Sequence, residues 1–181
     1  MKWMIASDLH GSLSACRKMF ARFEAEQAER LLLLGDLLYH GPRNNLPDEY
    51  APKGVIALLN AQKENLLCVR GNCDAEVDQM VLDFPILSDS LLFMAGGHTV
   101  FATHGHVFNE EKRPPLHRGD VLLHGHTHVP VLERREDWVL LNPGSVAIPK
   151  NGSLPSYFTL EDGVFTLRAL EDGRALDSLS L

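Results

Sequence analysis

The chain has 181 residues, of which 45% are hydrophobic and 23% charged, a balance typical of a globular protein with a sizeable apolar core. Its formal net charge of -7 excludes a general basic surface that would attract nucleic acid or an anionic membrane. Three cysteines and no run of about 18 apolar residues predict a cytoplasmic protein without a disulfide framework or a membrane span.

The first half of the chain alternates apolar runs with amphipathic segments, which predicts parallel strands joined by helices. Residues 3–7 and 31–34 are the first two predicted strands, and apolar residues at helical spacing between 13 and 23 predict the helix that connects them. A second helix is predicted to begin at Pro52, ahead of a third strand at 66–69. This order implies right-handed crossovers in a parallel sheet.

The second half carries shorter apolar runs separated by turn residues, which favours antiparallel strands. A short helix is predicted within residues 75–82, and Gly96-Gly97 predicts a hairpin. The predicted strands are 91–95, 99–103, 121–123, 131–133, 139–141, 157–160, 164–167 and one from Arg174 onward. Because no linker or repeat divides the chain, we expect a single α/β domain over residues 1–181, with two packed sheets flanked by helices.

Polar residues that can bind metals follow directly on several of these apolar runs. They are Asp8, His10, Asp36, Asn72, His104, His126 and His128. Sites in open α/β sheets form beyond the carboxyl ends of strands, so these residues can converge on one crevice. Two carboxylates, one amide and four imidazoles suit borderline divalent metals such as Mn, Fe, Co, Ni or Zn rather than Ca.

The spacing of these residues favours a site for two metals. Asp8 and His10 lie two apart on a chain expected to be extended, so both side chains can point the same way, and His126 and His128 repeat the spacing. Asp36 has two oxygens with which to bridge two cations. Cations about 3.5–4 Å apart can hold a hydroxide and stabilise an in-line displacement at phosphorus. Each motif alone also fits an ordinary turn or strand end, but the ordered set favours a metal site.

Five short motifs carry a resemblance to a known family. They are Asp8-Leu9-His10, Gly35-Asp36, Gly71-Asn72, Thr103-His104-Gly105-His106 and Gly125-His126-Thr127-His128. Together they resemble the calcineurin-like metallophosphoesterase superfamily over nearly the whole chain. The longer strings at 35–44, 71–80 and 142–150 resemble the bacterial YfcE group of small phosphodiesterases. The resemblance implies two mixed sheets sandwiched between helices, and hydrolysis of a small phosphodiester by a metal-bridging hydroxide.

The resemblance also implies a ligand set. The first metal would bind Asp8, His10, Asp36 and His128, and the second Asp36, Asn72, His104 and His126. Manganese is the implied ion, with Fe, Zn, Co or Ni as alternatives. His106 is expected to orient a ligand or to touch the substrate.

Two positions depart from the family pattern. Cys73 stands where the superfamily has a histidine that assists the leaving group, and a thiol with an unperturbed pKa of about 8.5 is a poor acid at neutral pH. Faster cleavage of aryl than of alkyl phosphodiesters is therefore predicted. His40 stands where the family has a phosphate-binding arginine, and Arg43 is either its replacement or a surface charge.

Other polar residues have more ordinary interpretations. Asp74 is predicted to cap the following helix rather than to orient a ligand histidine. Cys16 and Cys68 are predicted core residues, and His98 and His117 are predicted to lie in exposed loops.

Three functions compete for this pattern. Hydrolysis of a small phosphodiester leads. The second is a phosphomonoesterase or nuclease of the same superfamily. The cysteine at 73 argues against the phosphomonoesterase, and the acidic composition argues against the nuclease. A non-catalytic protein-binding scaffold would be expected to lack metal ligands, and none is missing here. A homo-oligomer is compatible with an apolar edge among the C-terminal strands.

Overall fold

The computed structural model describes residues 1–181, as three α-helices, one short 3₁₀ turn and eleven strands. The helices are α1 (Leu13–Ala25), α2 (Pro52–Ala61) and α3 (Glu76–Gln79), and the 3₁₀ turn is Lys63–Asn65. The strands are β1 (Trp3–Ala6), β2 (Arg30–Leu33), β3 (Leu66–Cys68), β4 (Ser90–Ala95), β5 (His98–Thr103), β6 (Val121–Leu123), β7 (Pro130–Arg134), β8 (Val139–Pro143), β9 (Ser156–Glu161), β10 (Val164–Ala169) and β11 (Ala175–Ser180). None of the helices combines the length and apolarity needed to cross a bilayer.

The strands form two mixed sheets, as predicted. The order is β11-β10-β9-β1-β2-β3 in the six-stranded sheet and β4-β5-β6-β8-β7 in the five-stranded sheet. The expectation that the second half pairs antiparallel throughout is wrong for β6, which runs parallel to both β5 and β8. The parallel pairing of β5 and β6 is possible because the long connection at residues 104–120 returns the chain to the starting end of β5.

Two apolar clusters hold the layers together. Met4 and Ala6 of β1 pack with the buried face of α1 on one side of the six-stranded sheet, while Ile5 packs toward the five-stranded sheet on the other. Because both faces of β1 are covered, its sequence is apolar throughout. The Ser12 side chain caps α1 by accepting the Ala15 backbone N–H at 3.2 Å.

The predicted core cysteines and one of the two predicted loop histidines lie as expected. Cys16 and Cys68 are both buried in the cluster beside α1. His117 is an exposed loop residue. His98 is not: it is the first residue of β5 and pairs with Ala95, because only two glycines separate β4 from β5.

A polar network at the end of α1 gives a test of the packing by pH. Glu26 accepts hydrogen bonds at 2.9 Å from Lys2 Nζ and from the Tyr157 hydroxyl. Burial opposes the charge on Glu26, but these bonds and the nearby Arg168 guanidinium lower its pKa overall. A carboxylate whose pKa is lower in the folded than in the unfolded state stabilises the fold above the unfolded pKa, and this contribution is lost as the pH falls.

We therefore expect Glu26→Gln to destabilise the protein more at pH 7 than at pH 3.5. Urea unfolding of wild type and variant at both pH values measures the difference. Glu24→Gln on the exposed side of α1 is the matched control, for which the two pH values should give the same small difference. An effect of Glu26→Gln that is the same at both pH values would contradict the network's role.

Candidate metal centre

Seven predicted residues from both sheets meet at one edge of the sandwich. Each follows the carboxyl end of a strand: Asp8 and His10 follow β1, Asp36 follows β2, Asn72 follows β3, His104 follows β5, and His126 and His128 follow β6. The parallel strands place these ends side by side. The structure thus brings together residues up to 120 positions apart.

Asp8, His10 and His128 form the first group of donors. Asp8 Oδ1 lies 3.3 Å from His128 Nε2 and 3.6 Å from His10 Nε2. The two Nε2 atoms lie 3.3 Å apart. All three residues are buried, and their atoms surround a space that one ion could fill.

Asn72, His104 and His126 form the second group. His104 Nε2 lies 3.1 Å from Asn72 Oδ1 and 3.2 Å from His126 Nδ1. Unlike the other three histidines, His126 presents its Nδ1 rather than its Nε2 to the centre.

Asp36 lies between the two groups. Its Oδ2 is 3.6 Å from His10 Nε2 and 3.5 Å from His104 Nε2. Its Oδ1 accepts the Cys73 backbone N–H at 2.8 Å. A single oxygen, Oδ2, therefore faces both groups.

The hydrogen bonds on the outer side of three rings show that this geometry suits cations. Nδ1 donates to a backbone carbonyl in His10 (Tyr39, 2.8 Å), His104 (Leu34, 2.6 Å) and His128 (Ile148, 2.6 Å). Because a carbonyl only accepts, the proton of the neutral ring is on Nδ1 and the Nε2 lone pair faces inward. Two facing lone pairs cannot hydrogen-bond each other, and the buried Asp8 Oδ1 has no hydrogen-bond partner. A divalent cation satisfies all of these acceptors.

The charges of the metal-free centre point the same way. Burial opposes protonation of His104, but the Asp36 and Asp8 carboxylates raise its pKa to about 9. Burial and the neighbouring His104 charge lower the pKa of His126 to about 4. Without a metal, His104 therefore carries a second proton on Nε2 toward the Asp36 carboxylate, and a bound cation would replace that proton and leave the ring neutral.

The backbone is left-handed at five of the seven donor residues. The prediction of an extended chain at Asp8 and His10, and at His126 and His128, is therefore wrong. Positive φ angles occur at Asp8 (60°), His10 (48°), Asp36 (56°), His126 (67°) and His128 (62°). For residues other than glycine this conformation costs roughly 1–2 kcal/mol each. Cross-links between the loops hold it, such as the bond from the His10 N–H to the Asp36 carbonyl at 2.9 Å.

A close approach at Gly71 fixes the position of Asp36. A Cβ at Gly71 would overlap both Asp36 Oδ1 and the Asp36 backbone nitrogen. Only glycine therefore lets the loop after β3 lie against the loop after β2.

The donors open into a cavity of about 440 Å³ that contains some of the other predicted residues. Its lining is His10, Asp36, Gly41, Pro42, Arg43, Asn44, Asn72, Cys73, His126, Thr127, His128 and Lys150. Burial and the Asp36 charge raise the pKa of Cys73 to about 12, so this thiol is neutral at physiological pH. Arg43 is exposed on the cavity wall.

His106 and His40 lie outside the cavity lining. The exposed His106 ring is centred 5.4 Å from His104 and 6.3 Å from His126. His40 packs edge-on against Tyr39 and Tyr50 instead of facing the donors.

Asp74 has a different role from the predicted helix cap. Its buried carboxylate accepts the backbone N–H groups of Asp36 (2.8 Å), Leu37 (2.9 Å) and Gly71 (2.7 Å). The cap is supplied by Asp78, which accepts the Ala75 N–H at 2.8 Å. Asp74 thus ties the loop after β2 to the loop after β3, and it touches no ligand histidine.

Two supporting residues, Asn142 and Ser145, flank the tight turn at the end of β8, whose sequence and position near the His126–His128 motif already favoured a place beside the site. The Asn142 amide donates to the Gly125 carbonyl at 2.8 Å and to Thr127 Oγ1 at 3.0 Å, which fixes the loop that carries His126 and His128. Ser145 Oγ donates to the Asp8 carbonyl at 2.9 Å. The available signal was a polar pair directly after an apolar strand, flanking a Pro-Gly turn.

Comparison with known proteins identifies the family. The sequence model of the calcineurin-like phosphoesterase superfamily domain matches residues 1–162. The chain belongs to the calcineurin-like phosphoesterase superfamily. The superfamily is one of phosphoesterases, so the predicted family, enzyme class and α/β fold are confirmed.

Relatives in this superfamily cover almost the whole chain. Phosphodiesterase YfcE of Escherichia coli is 48% identical over 172 residues, which are 95% of this chain and 94% of YfcE. The solved structure of YfcE matches with a TM-score of 0.96 over 99% of both chains. The probable metallophosphoesterase YsnB of Bacillus subtilis is 28% identical over 93% of this chain and 89% of its own. Vps29 from Entamoeba histolytica, at 20% identity and a TM-score of 0.64 over 100% of this chain and 99% of its own, shares the fold alone.

Proposed function

We propose that this superfamily member hydrolyses small phosphodiesters at a centre of two divalent metal ions. The observation that carries the proposal is the position of Asp36 Oδ2, which faces one donor group on each side. Asp8, His10 and His128 would complete the first site, and Asn72, His104 and His126 the second. The 48% identity to a protein named as a phosphodiesterase supports a diester as the substrate.

A bound pair of cations, Mn²⁺ by family resemblance, would supply positive charge to phosphate oxygens and make water acidic enough to yield hydroxide at neutral pH. The residues of the chain position these groups. Three backbone carbonyls hold the His10, His104 and His128 rings in the tautomer that presents Nε2. Asn72 supplies an amide oxygen, which is a neutral donor and leaves more positive charge on the second site than a carboxylate would.

Arg43 and His106 have different proposed roles. Arg43 lines the cavity and can donate to a phosphate oxygen of the scissile diester. His106 does not line it, so we propose that it orients the neighbouring His104 and His126 rings.

The direct test strips the protein of metal, restores Mn²⁺, and compares bis(p-nitrophenyl) phosphate with p-nitrophenyl phosphate. We expect activity only with metal, a higher kcat/KM for the diester, and two metal ions per chain by elemental analysis. A higher kcat/KM for the monoester would favour the phosphomonoesterase instead. Two bound metals without turnover of either ester would favour the binding scaffold.

The cysteine at position 73 predicts that the rate of hydrolysis depends on the leaving group of the substrate. A thiol, with an unperturbed pKa of about 8.5, is a poor proton donor at neutral pH, so Cys73 would leave the departing group unassisted. We therefore expect aryl phosphodiesters to be cleaved faster than alkyl phosphodiesters, and Cys73→His to narrow the difference. Cys73→Ser, which retains a weak acid, is the matched control. Equal wild-type rates on both esters would contradict this role.

A further inference from the structure

Lys150 is a charged residue of the cavity wall that the proposed chemistry does not use. It is exposed and lines the same cavity as the metal donors. Neither Lys150 nor Arg43 forms an ion pair with a carboxylate of the chain. Asp36 is the only carboxylate in the lining, and Pro42 and Cys73 are the residues with apolar side chains.

The backbone of Lys150 is tied to the metal centre. The His128 ring donates to the Ile148 carbonyl at 2.6 Å, and the Lys150 N–H donates to the His128 carbonyl at 3.2 Å. The Lys150 carbonyl in turn accepts from Ser153, from its N–H at 3.0 Å and its hydroxyl at 2.7 Å. The backbone of Lys150 is therefore held in place beside His128, and its side-chain ammonium extends from this fixed segment.

The charge of the site exceeds what a simple diester needs. Two divalent cations together with the carboxylates of Asp8, Asp36 and the adjacent buried Asp74 would leave a surplus of one positive charge, which a hydroxide neutralises. Arg43 and Lys150 then add two more, although the chain as a whole carries -7. A local excess of positive charge in a polar cavity favours a ligand with additional negative charge.

We propose that Lys150 forms a subsite for a second anionic group, a carboxylate or a phosphate, on the alcohol that stays esterified to the phosphate after cleavage. The proposal rests on the proposed phosphodiesterase function and narrows its substrate class. Arg43 remains the residue for the scissile phosphate. Most residues that line the cavity are polar or charged, which agrees with a charged substituent.

Two matched diesters test the subsite. Both carry a p-nitrophenyl leaving group, and their second ester is 2-carboxyethyl or the neutral 2-carbamoylethyl. We expect kcat/KM of the Mn²⁺-loaded wild type to favour the anionic diester by about tenfold. Lys150→Met should bring the ratio close to one, and Lys150→Arg should retain most of it. Lys53→Met, which removes an exposed lysine of α2, is the control and should keep the wild-type ratio.

Binding of the product provides a second readout. By calorimetry, 2-carboxyethyl phosphate should bind the wild type more tightly than 2-carbamoylethyl phosphate, and Lys150→Met should remove the difference. Equal wild-type kcat/KM for the two diesters, or a preference that survives Lys150→Met, would overturn the subsite alone. Failure to cleave either diester would instead count against the proposed function.

Discussion

Asp36→Asn is expected to lower kcat/KM for bis(p-nitrophenyl) phosphate by about three orders of magnitude, because a two-metal centre supplies several kcal/mol of transition-state stabilisation. The amide keeps the size of the side chain but removes the negative charge between the two donor groups. Its NH₂ group would face the bound cations if it replaces Oδ2, or the Cys73 backbone N–H if it replaces Oδ1, and neither is an acceptor. Steady-state kinetics at saturating Mn²⁺ measure the loss.

Metal content separates this explanation from misfolding. Asp36→Asn should bind fewer than two metal ions per chain while its circular dichroism matches the wild type. Asp83→Asn is the control, because Asp83 is an exposed carboxylate outside the cavity. Wild-type kcat/KM in Asp36→Asn would refute the bridging role of this carboxylate.

Asp74→Ala is expected to destabilise the fold by roughly 4 kcal/mol, because each buried donor left without an acceptor costs about 1–3 kcal/mol. The three donors are the backbone N–H groups of Asp36, Leu37 and Gly71. Asp74 is 2% exposed, so water reaches these groups poorly after the truncation. Urea unfolding of the metal-free protein measures the change without the contribution of bound ions.

Asp74→Asn refines this test. The asparagine retains one acceptor oxygen and turns an NH₂ group toward the remaining N–H donors, so its stability should fall between those of wild type and Asp74→Ala. Asp83→Ala, at an exposed carboxylate, should change the free energy of unfolding by less than about 0.5 kcal/mol. If Asp74→Ala unfolds at the same urea concentration as Asp83→Ala, the two loops are held together by other contacts.

Much of the fold follows from local patterns in the sequence. The apolar runs at 3–7 and 31–34 correspond to β1 and β2, and the helical spacing between them corresponds to α1. Strand partners are harder to predict, because apolar periodicity marks a strand without naming its neighbour. The parallel pairing of β6 depends on the path of residues 104–120, which lack a repeating pattern.

The convergence of the seven residues was predictable, because each follows a predicted strand and sites form beyond the carboxyl ends of strands. The shape of the backbone was not, since Asp8 and His10 adopt left-handed angles through bonds to a loop almost 30 residues away. The role of Asp74 was also hidden, because its three partners are backbone groups that have no sequence signature. Lys150 resembles any surface lysine until the cavity is seen.

The left-handed backbone at five donor positions affects how a lineage could lose this activity. Glycine at such a position relieves roughly 1 kcal/mol of conformational strain, and removing Asp8 also removes a buried acceptor without a partner. These gains offset part of the packing lost with the side chain. Replacing a donor residue therefore costs less folding stability than replacing a core residue. Selection for catalysis, and not for stability, must then preserve the donors. In a lineage released from that selection, genetic drift would replace the donor residues before it replaced the core residues of the two sheets.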